Sequence, residues 1–370
     1  KPHFEPAPDK NCKELLQNIL TKSLKPTILV GGPYWNEKTR SNVNRFANRH
    51  SIPVLSGFRR QDLFDNSSEV FCGALGTSVS HSLLQRVKES DLLIVLGSRL
   101  GEMTTEGYKI FTIKNCEQKL IHVHVDPKEL GAVDPPDIGI VSTVQSLSDL
   151  LVNLKLQPNM NWSEWCNVLR SEYLLDLKPQ MYSGDLDLGK IFKYLNERLP
   201  NESIITLDAG NHTGWPQRFL TYGSSRRQIG STCGAMGYSI PAAVAASLSS
   251  DDKLVVAFVG DGGFMMSGME LMTAVQYKRP LVTIVFNNNS YGTIRMHQER
   301  EFPGRVIATN LQNPDFKAMA VAMGAHGEIV YKTDEFFSAF ERCLNQNKPA
   351  LIELKTDINQ LSTRHTLKTN

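Results

Sequence analysis

The chain has 370 residues, 41% hydrophobic and 21% charged, a balance that excludes a disordered polymer and leaves room for two ordinary cores. Its 40 Lys and Arg against 38 Asp and Glu give a net charge of +2, so no electrostatic footprint points to nucleic acid or to an anionic membrane surface. No apolar run is long enough to span a bilayer, and six cysteines without a C-x-x-C pair fit free thiols in a reducing cytoplasm better than a disulfide framework or a zinc site.

Residues 1–10, KPHFEPAPDK, hold three prolines and read as an extended linker that follows some other segment. From 11 to 155, β-rich runs alternate with helical patterns: PTILVGG, a helix near 37–49, IPVLSG, a helix near 80–89, DLLIVLGS, KLIHVHVDP and a helix at 145–154. Such alternation implies parallel βαβ units and a doubly wound α/β domain. Residues 156–186 lose this periodicity and read as an interdomain connection containing a helix. Alternation resumes over 187–358 in a second doubly wound α/β domain, and 359–370 reads as a C-terminal tail.

The second domain holds GDGGFMMSGMELMTAVQYKRPLVTIVFNNNSYG, residues 260–292. The apolar runs 254–259 and 281–286 have the near-continuous character of parallel strands covered on both faces. Between them the pattern SGMELMTAVQYK predicts a crossover helix of about 12 residues, roughly 18 Å long, which returns the chain to the starting edge of the sheet. Asp261 and Asn288 then emerge together at the carboxyl edge, where open α/β sheets place their ligands. A carboxylate and an amide oxygen suit a hard divalent cation such as Mg2+. Gly260, Gly262 and Gly263 allow close backbone approach to an anion. Gly-Asp-Gly alone is a common turn and asparagine runs end strands for their own reasons; both at neighbouring strand ends describe a metal-bridged diphosphate site. No G-x-x-x-x-G-K-[ST] occurs, so a P-loop is excluded.

These strings resemble the diphosphate motif of thiamine diphosphate enzymes, and the chain as a whole is similar to the central and C-terminal domains of the acetolactate synthase and benzoylformate decarboxylase group. PTILVGG, DLLIVLGSRLGEMTT and IHVHVDPKELG resemble the central, Rossmann-like domain; DAGNHTGW, GAMGYSIPAA and GDGG…NNNSYGT resemble the diphosphate-binding domain. The resemblance implies thiamine diphosphate and Mg2+ as cofactors, with Asp261, Asn288 and the Ser290 carbonyl as metal ligands. It also implies that Gly234 and Met236 contact the pyrimidine ring, with Met236 propping the cofactor in a bent shape, and that Asn211 and His212 reach the diphosphate. Tyr291 and Gly292 complete the motif. The implied activity is decarboxylation or carboligation of 2-oxo acids in a cytoplasmic homo-oligomer.

In that group a glutamate on an N-terminal pyrimidine-binding domain activates the cofactor, and no segment of this chain resembles that domain. The expectation is therefore a fragment or one subunit of a split enzyme, inactive alone, with the missing domain supplied by the same or another subunit. The rival class is a non-catalytic scaffold that keeps two α/β domains.

Two further constellations stand apart. His122, His124 and Asp126 alternate along one strand, a spacing that admits zinc, the flavin-adenine site of the resembled group, or plain strand-edge polarity; FAD stays undecided. Arg295 and His297 follow the NNNSYG segment, either near a carboxylate-bearing substrate or on a solvated helix face.

Overall fold

A computed structural model describes residues 5–110, 118–178, 180, 182–223, 225–250 and 252–367. Part of the expected linker, residues 1–4, part of the expected tail, residues 368–370, and Cys116 lie outside the described residues. The chain divides into two compact units, one running through Lys178 with Tyr222 and Gly223, the other taking the remainder.

The first unit is a six-stranded parallel sheet built from β1 (Pro26–Val30), β2 (Val54–Ser56), β3 (Phe71–Ala74), β4 (Leu92–Leu96), β5 (Lys119–His124) and β6 (Ile138–Val141), in the order β3-β2-β1-β4-β5-β6. The apolar runs form β1, β2, β4 and β5; the edge strands β3 and β6 are short and less periodic, which hid them from pattern reading. The helix Met160–Asp176, expected within a connection, packs Trp162, Trp165, Cys166 and Leu169 into this unit's own core.

The second unit is likewise a six-stranded parallel sheet: β7 (Ile204–Leu207), β8 (Arg227–Gly230), β9 (Val255–Gly260), β10 (Val282–Asn287), β11 (His326–Val330) and β12 (Ala350–Lys355), ordered β11-β12-β10-β9-β7-β8. The chain winds outward from β7 to β8, then crosses back to lay β9 on the other side of β7. The strand order therefore reverses between β7 and β9, and their carboxyl ends flank a crevice. Within the expected tail, Leu361, Ser362 and Thr363 are buried, and Gln360 bridges Thr366.

Among the described residues no helix is long and apolar enough to cross a membrane. Cys12, Cys72, Cys166 and Cys343 are free, buried thiols.

Candidate functional site

The carboxyl end of β7 delivers Asp208, a wholly buried carboxylate. Its Oδ1 accepts from the Gly237 N–H at 3.1 Å and its Oδ2 from the Ser239 N–H at 3.0 Å. One side chain thus ties the strand end to the turn carrying Met236. That turn is bracketed by Gly234 and Gly237 at φ of 72° and 78°, where a side chain would be strained. A Cβ at Gly237 would come within 3.2 Å of the Met266 Cβ, so the turn abuts the next segment. Met236 itself is 37% exposed, which leaves its thioether open to a ligand. Asp208 was not anticipated, although an acid directly after an apolar strand at a carboxyl edge was a readable signal.

From β9 the chain enters a helix at once, Asp261–Ser267, earlier than the pattern indicated. Gly262 and Gly263 lie in the first turn of this helix, and the Gly262 N–H donates to Asp261 Oδ1 at 2.9 Å. Their missing side chains make room for neighbours: a Cβ at Gly262 would lie 2.6 Å from Tyr291 Cε1, and one at Gly263 2.5 Å from Asp208 Oδ1. Asp261 is buried in this first turn, and burial pushes its carboxyl pKa upward against the opposing pull of the Gly262 N–H, the Asn313 amide and the Ser290 and Asn289 N–H groups.

β10 ends at buried Asn287 and runs into the turn 288–291. Asn288 Oδ1 accepts from the Ser290 N–H at 3.0 Å, and Asn289 adopts a left-handed φ of 53°. Ser290 bridges Asn310 antiparallel, and Tyr291 donates its N–H to the Thr309 carbonyl at 2.8 Å. Gly292 opens the next helix, where a Cβ would meet Asn288 Nδ2 at 2.9 Å. Asp261 and this turn meet through Asn313, whose Nδ2 lies 2.8 Å from Asp261 Oδ2, 2.9 Å from Asn287 Oδ1 and 3.3 Å from Asn289 Oδ1. Asn313 was not singled out in the sequence.

His212 and Asn211 part company. The His212 ring lies over Phe286, with centroids 5.4 Å apart, in space that a Cβ at Gly260 would contest at 3.1 Å. Asn211 is a brace: its Nδ2 donates to the Leu361 carbonyl at 2.6 Å, and its Oδ1 accepts from Thr293 Oγ1 at 3.0 Å. Both ends of the amide are occupied, so the expected diphosphate contact would require these bonds to break.

The remaining motifs bond mostly within their own neighbourhood, although the His122 Nδ1 is buried without a hydrogen-bond partner. His122 Nε2 lies 2.8 Å from the Ser98 carbonyl, His124 Nδ1 accepts from the Asp126 N–H at 3.1 Å, and the Asp126 carboxylate caps Lys128. Among the described residues no group of three or more His, Cys, Asp or Glu side chains could hold a metal ion, so the zinc clasp is not assembled. His297 pairs with Arg300 at 2.9 Å on the helix Gly292–Glu301, which buries none of its residues.

The cluster at the carboxyl ends of β9 and β10, beside the β7/β9 crevice, suits a hard cation. Its donors are oxygens, Asp261 is a buried acid whose charge burial disfavours, and Ser290 Oγ is buried without a hydrogen-bond partner. Fold and loops together define a protein of two doubly wound α/β units, the second with an oxygen-lined cluster at its topological switch point. Residues 14–151 match the family model described as thiamine pyrophosphate enzyme, central domain, and residues 208–354 match thiamine pyrophosphate enzyme, C-terminal TPP binding domain. The chain belongs to the thiamine pyrophosphate enzymes and carries these two of their domains.

Relatives include the acetolactate synthase large subunit of Porphyra purpurea, 27% identical over 97% of this chain and 62% of the relative. The acetolactate synthase isozyme 2 large subunit of Escherichia coli is 28% identical over 93% of this chain and 62% of the relative. The acetolactate synthase large subunit of Lactococcus lactis is 29% identical over 95% of this chain and 61% of the relative. The chain thus spans about three fifths of the length of the curated relatives it matches.

Proposed function

We propose that this chain forms the diphosphate-binding part of an acetolactate synthase-like enzyme that uses thiamine diphosphate and Mg2+ to decarboxylate or ligate 2-oxo acids. The observation that carries the reading is the convergence of Asp261 and the 287–290 turn, linked through Asn313, at the switch point of the thiamine pyrophosphate-binding domain. Thiamine diphosphate, when bound, supplies the electron sink for the chemistry. The chain's own residues position it: Asp261, Asn288 and Ser290 would hold the metal, and Met236 would set the cofactor's bend. Asn211 is left out of this ligand set because its amide is engaged within the fold. We place the protein in the cytoplasm, where buried free thiols persist.

The reading includes a partner surface. Met265, Met266 and Met269 are each more than half exposed along the segment beside the Met236 turn. A methionine face of this kind suits an apolar partner, here the pyrimidine-binding domain of the same or another subunit in a homo-oligomer. These 370 residues on their own should fold, yet show no turnover of pyruvate or another 2-oxo acid. Adding a separately produced pyrimidine-binding domain should restore turnover that depends on thiamine diphosphate and Mg2+. Ordinary turnover by the chain alone would remove the need for an outside carboxylate.

Met236→Ala should leave cofactor bound but slow deuterium exchange at the thiazolium C2 in the reconstituted enzyme by roughly tenfold or more, since a prop acts on geometry rather than on diphosphate affinity. An unchanged exchange rate with intact binding would assign Met236 to packing.

A further inference from the structure

β12 lies between β11 and β10, and its Glu353 is fully buried among apolar strand residues. A buried carboxylate is retained only where it is paired. Glu353 Oε1 accepts from Lys355 Nζ at 2.5 Å and from Asn287 Nδ2 at 2.6 Å, while its Oε2 has no hydrogen-bond partner. The partner Asn287 is what makes this position consequential. An isolated asparagine amide can present either end, but a carboxylate only accepts, so Glu353 compels Asn287 to turn its NH2 inward and its Oδ1 toward the site. That Oδ1 accepts from the Asn289 N–H at 3.1 Å and from Asn313 Nδ2 at 2.9 Å. Asn313 in turn donates to Asp261 Oδ2 at 2.8 Å.

We propose that Glu353 is a positioning residue: by fixing the polarity of the Asn287 amide it holds the 287–290 turn and, through Asn313, the Asp261 carboxylate. The role rests on the reading of Asp261 as a metal ligand. Within the hydrogen-bonded chain Glu353–Asn287–Asn313–Asp261 each amide turns its NH2 toward a carboxylate, Asn287 toward Glu353 and Asn313 toward Asp261. A glutamine at 353 keeps the shape but can offer its own NH2 to Asn287. The Asn287 amide is then free to turn over, and a turned amide points a donor at the Asn289 N–H and at Asn313, which repels both.

The test uses the full chain, with Mn2+ as the metal probe in the presence of thiamine diphosphate, read by electron paramagnetic resonance. Glu353→Gln should weaken Mn2+ binding about tenfold, the scale of an outer-shell partner, and Asn313→Ala should do likewise from the accessible end of the chain. The double variant should be no weaker than the more affected single, because both changes interrupt one path; a merely structural loss would multiply. A second readout needs no metal. Amide hydrogen exchange at Asn289 should accelerate in Glu353→Gln while the rest of β10 and β12 keeps its protection.

If the wild-type chain binds no Mn2+ but Asn289 exchange accelerates in the variant, the metal reading fails and the positioning role stands. Wild-type Mn2+ affinity together with wild-type Asn289 exchange in Glu353→Gln overturns the proposal. So does independent multiplication of the two single effects.

Discussion

Asp261→Ala should abolish divalent-dependent binding of thiamine diphosphate. Asp261 is linked to the asparagine turn through Asn313, and a diphosphate held without its cation loses the principal neutralising charge. The expected loss is on the order of 100-fold or more in affinity, beyond the 10–100-fold typical of outer-shell partners. Thermal denaturation makes this visible. Ligand at 100 times its Kd stabilises a protein by about 2.7 kcal/mol, and the variant should lose that increment. Because burial raises the Asp261 pKa, protons compete with the metal at a higher pH than at an ordinary carboxylate, and Mg2+-dependent binding should fade correspondingly early on acidification. Equal wild-type affinity with and without Mg2+ would withdraw the metal assignment.

Asp208→Ala should be strongly destabilising to the second unit, costing about 1–3 kcal/mol for each backbone N–H left unsatisfied. It strips the acceptor from the Gly237 and Ser239 N–H groups and opens a void against Gly263. Asp208→Asn keeps the volume and one acceptor and should cost less. Hydrogen exchange locates the damage: amide protection at Gly237 and Ser239 should fall first, before that of β7 or β9. Unchanged protection at both amides in the alanine variant would show that the carboxylate does not hold the Met236 turn.

Much of this was legible. Two alternating α/β halves, their central strands and the meeting of Asp261 with the asparagine turn all follow from periodicity and the crossover rule. The edge strands β3, β6 and β8 escaped because each is only four residues long and contains a glycine, and β8 is partly polar as well. The helix start at Asp261 was placed too late because Gly262 and Gly263 argue against a helix on propensity alone, and tertiary packing overrode it. The Leu361 carbonyl that accepts from the Asn211 amide lies 150 positions away in sequence. No local pattern announces such a partner. Asp208 and Asn313 are likewise defined by the segments they join rather than by their neighbours in sequence.

The two helical glycines carry a consequence for how this sequence can change over time. The space beside Gly263 is filled by Asp208 from β7, and the space beside Gly262 by Tyr291 from the turn after β10. Each glycine therefore shares its space with a residue from a distant stretch of the chain. Growth at any of these positions demands a matching contraction at another, so viable sequences can move only by paired substitutions, and drift here is channelled along a narrow ridge. A single added methyl group at 263 is a dead end unless 208 has already shrunk, and a shrunken 208 has already let go of the Met236 turn.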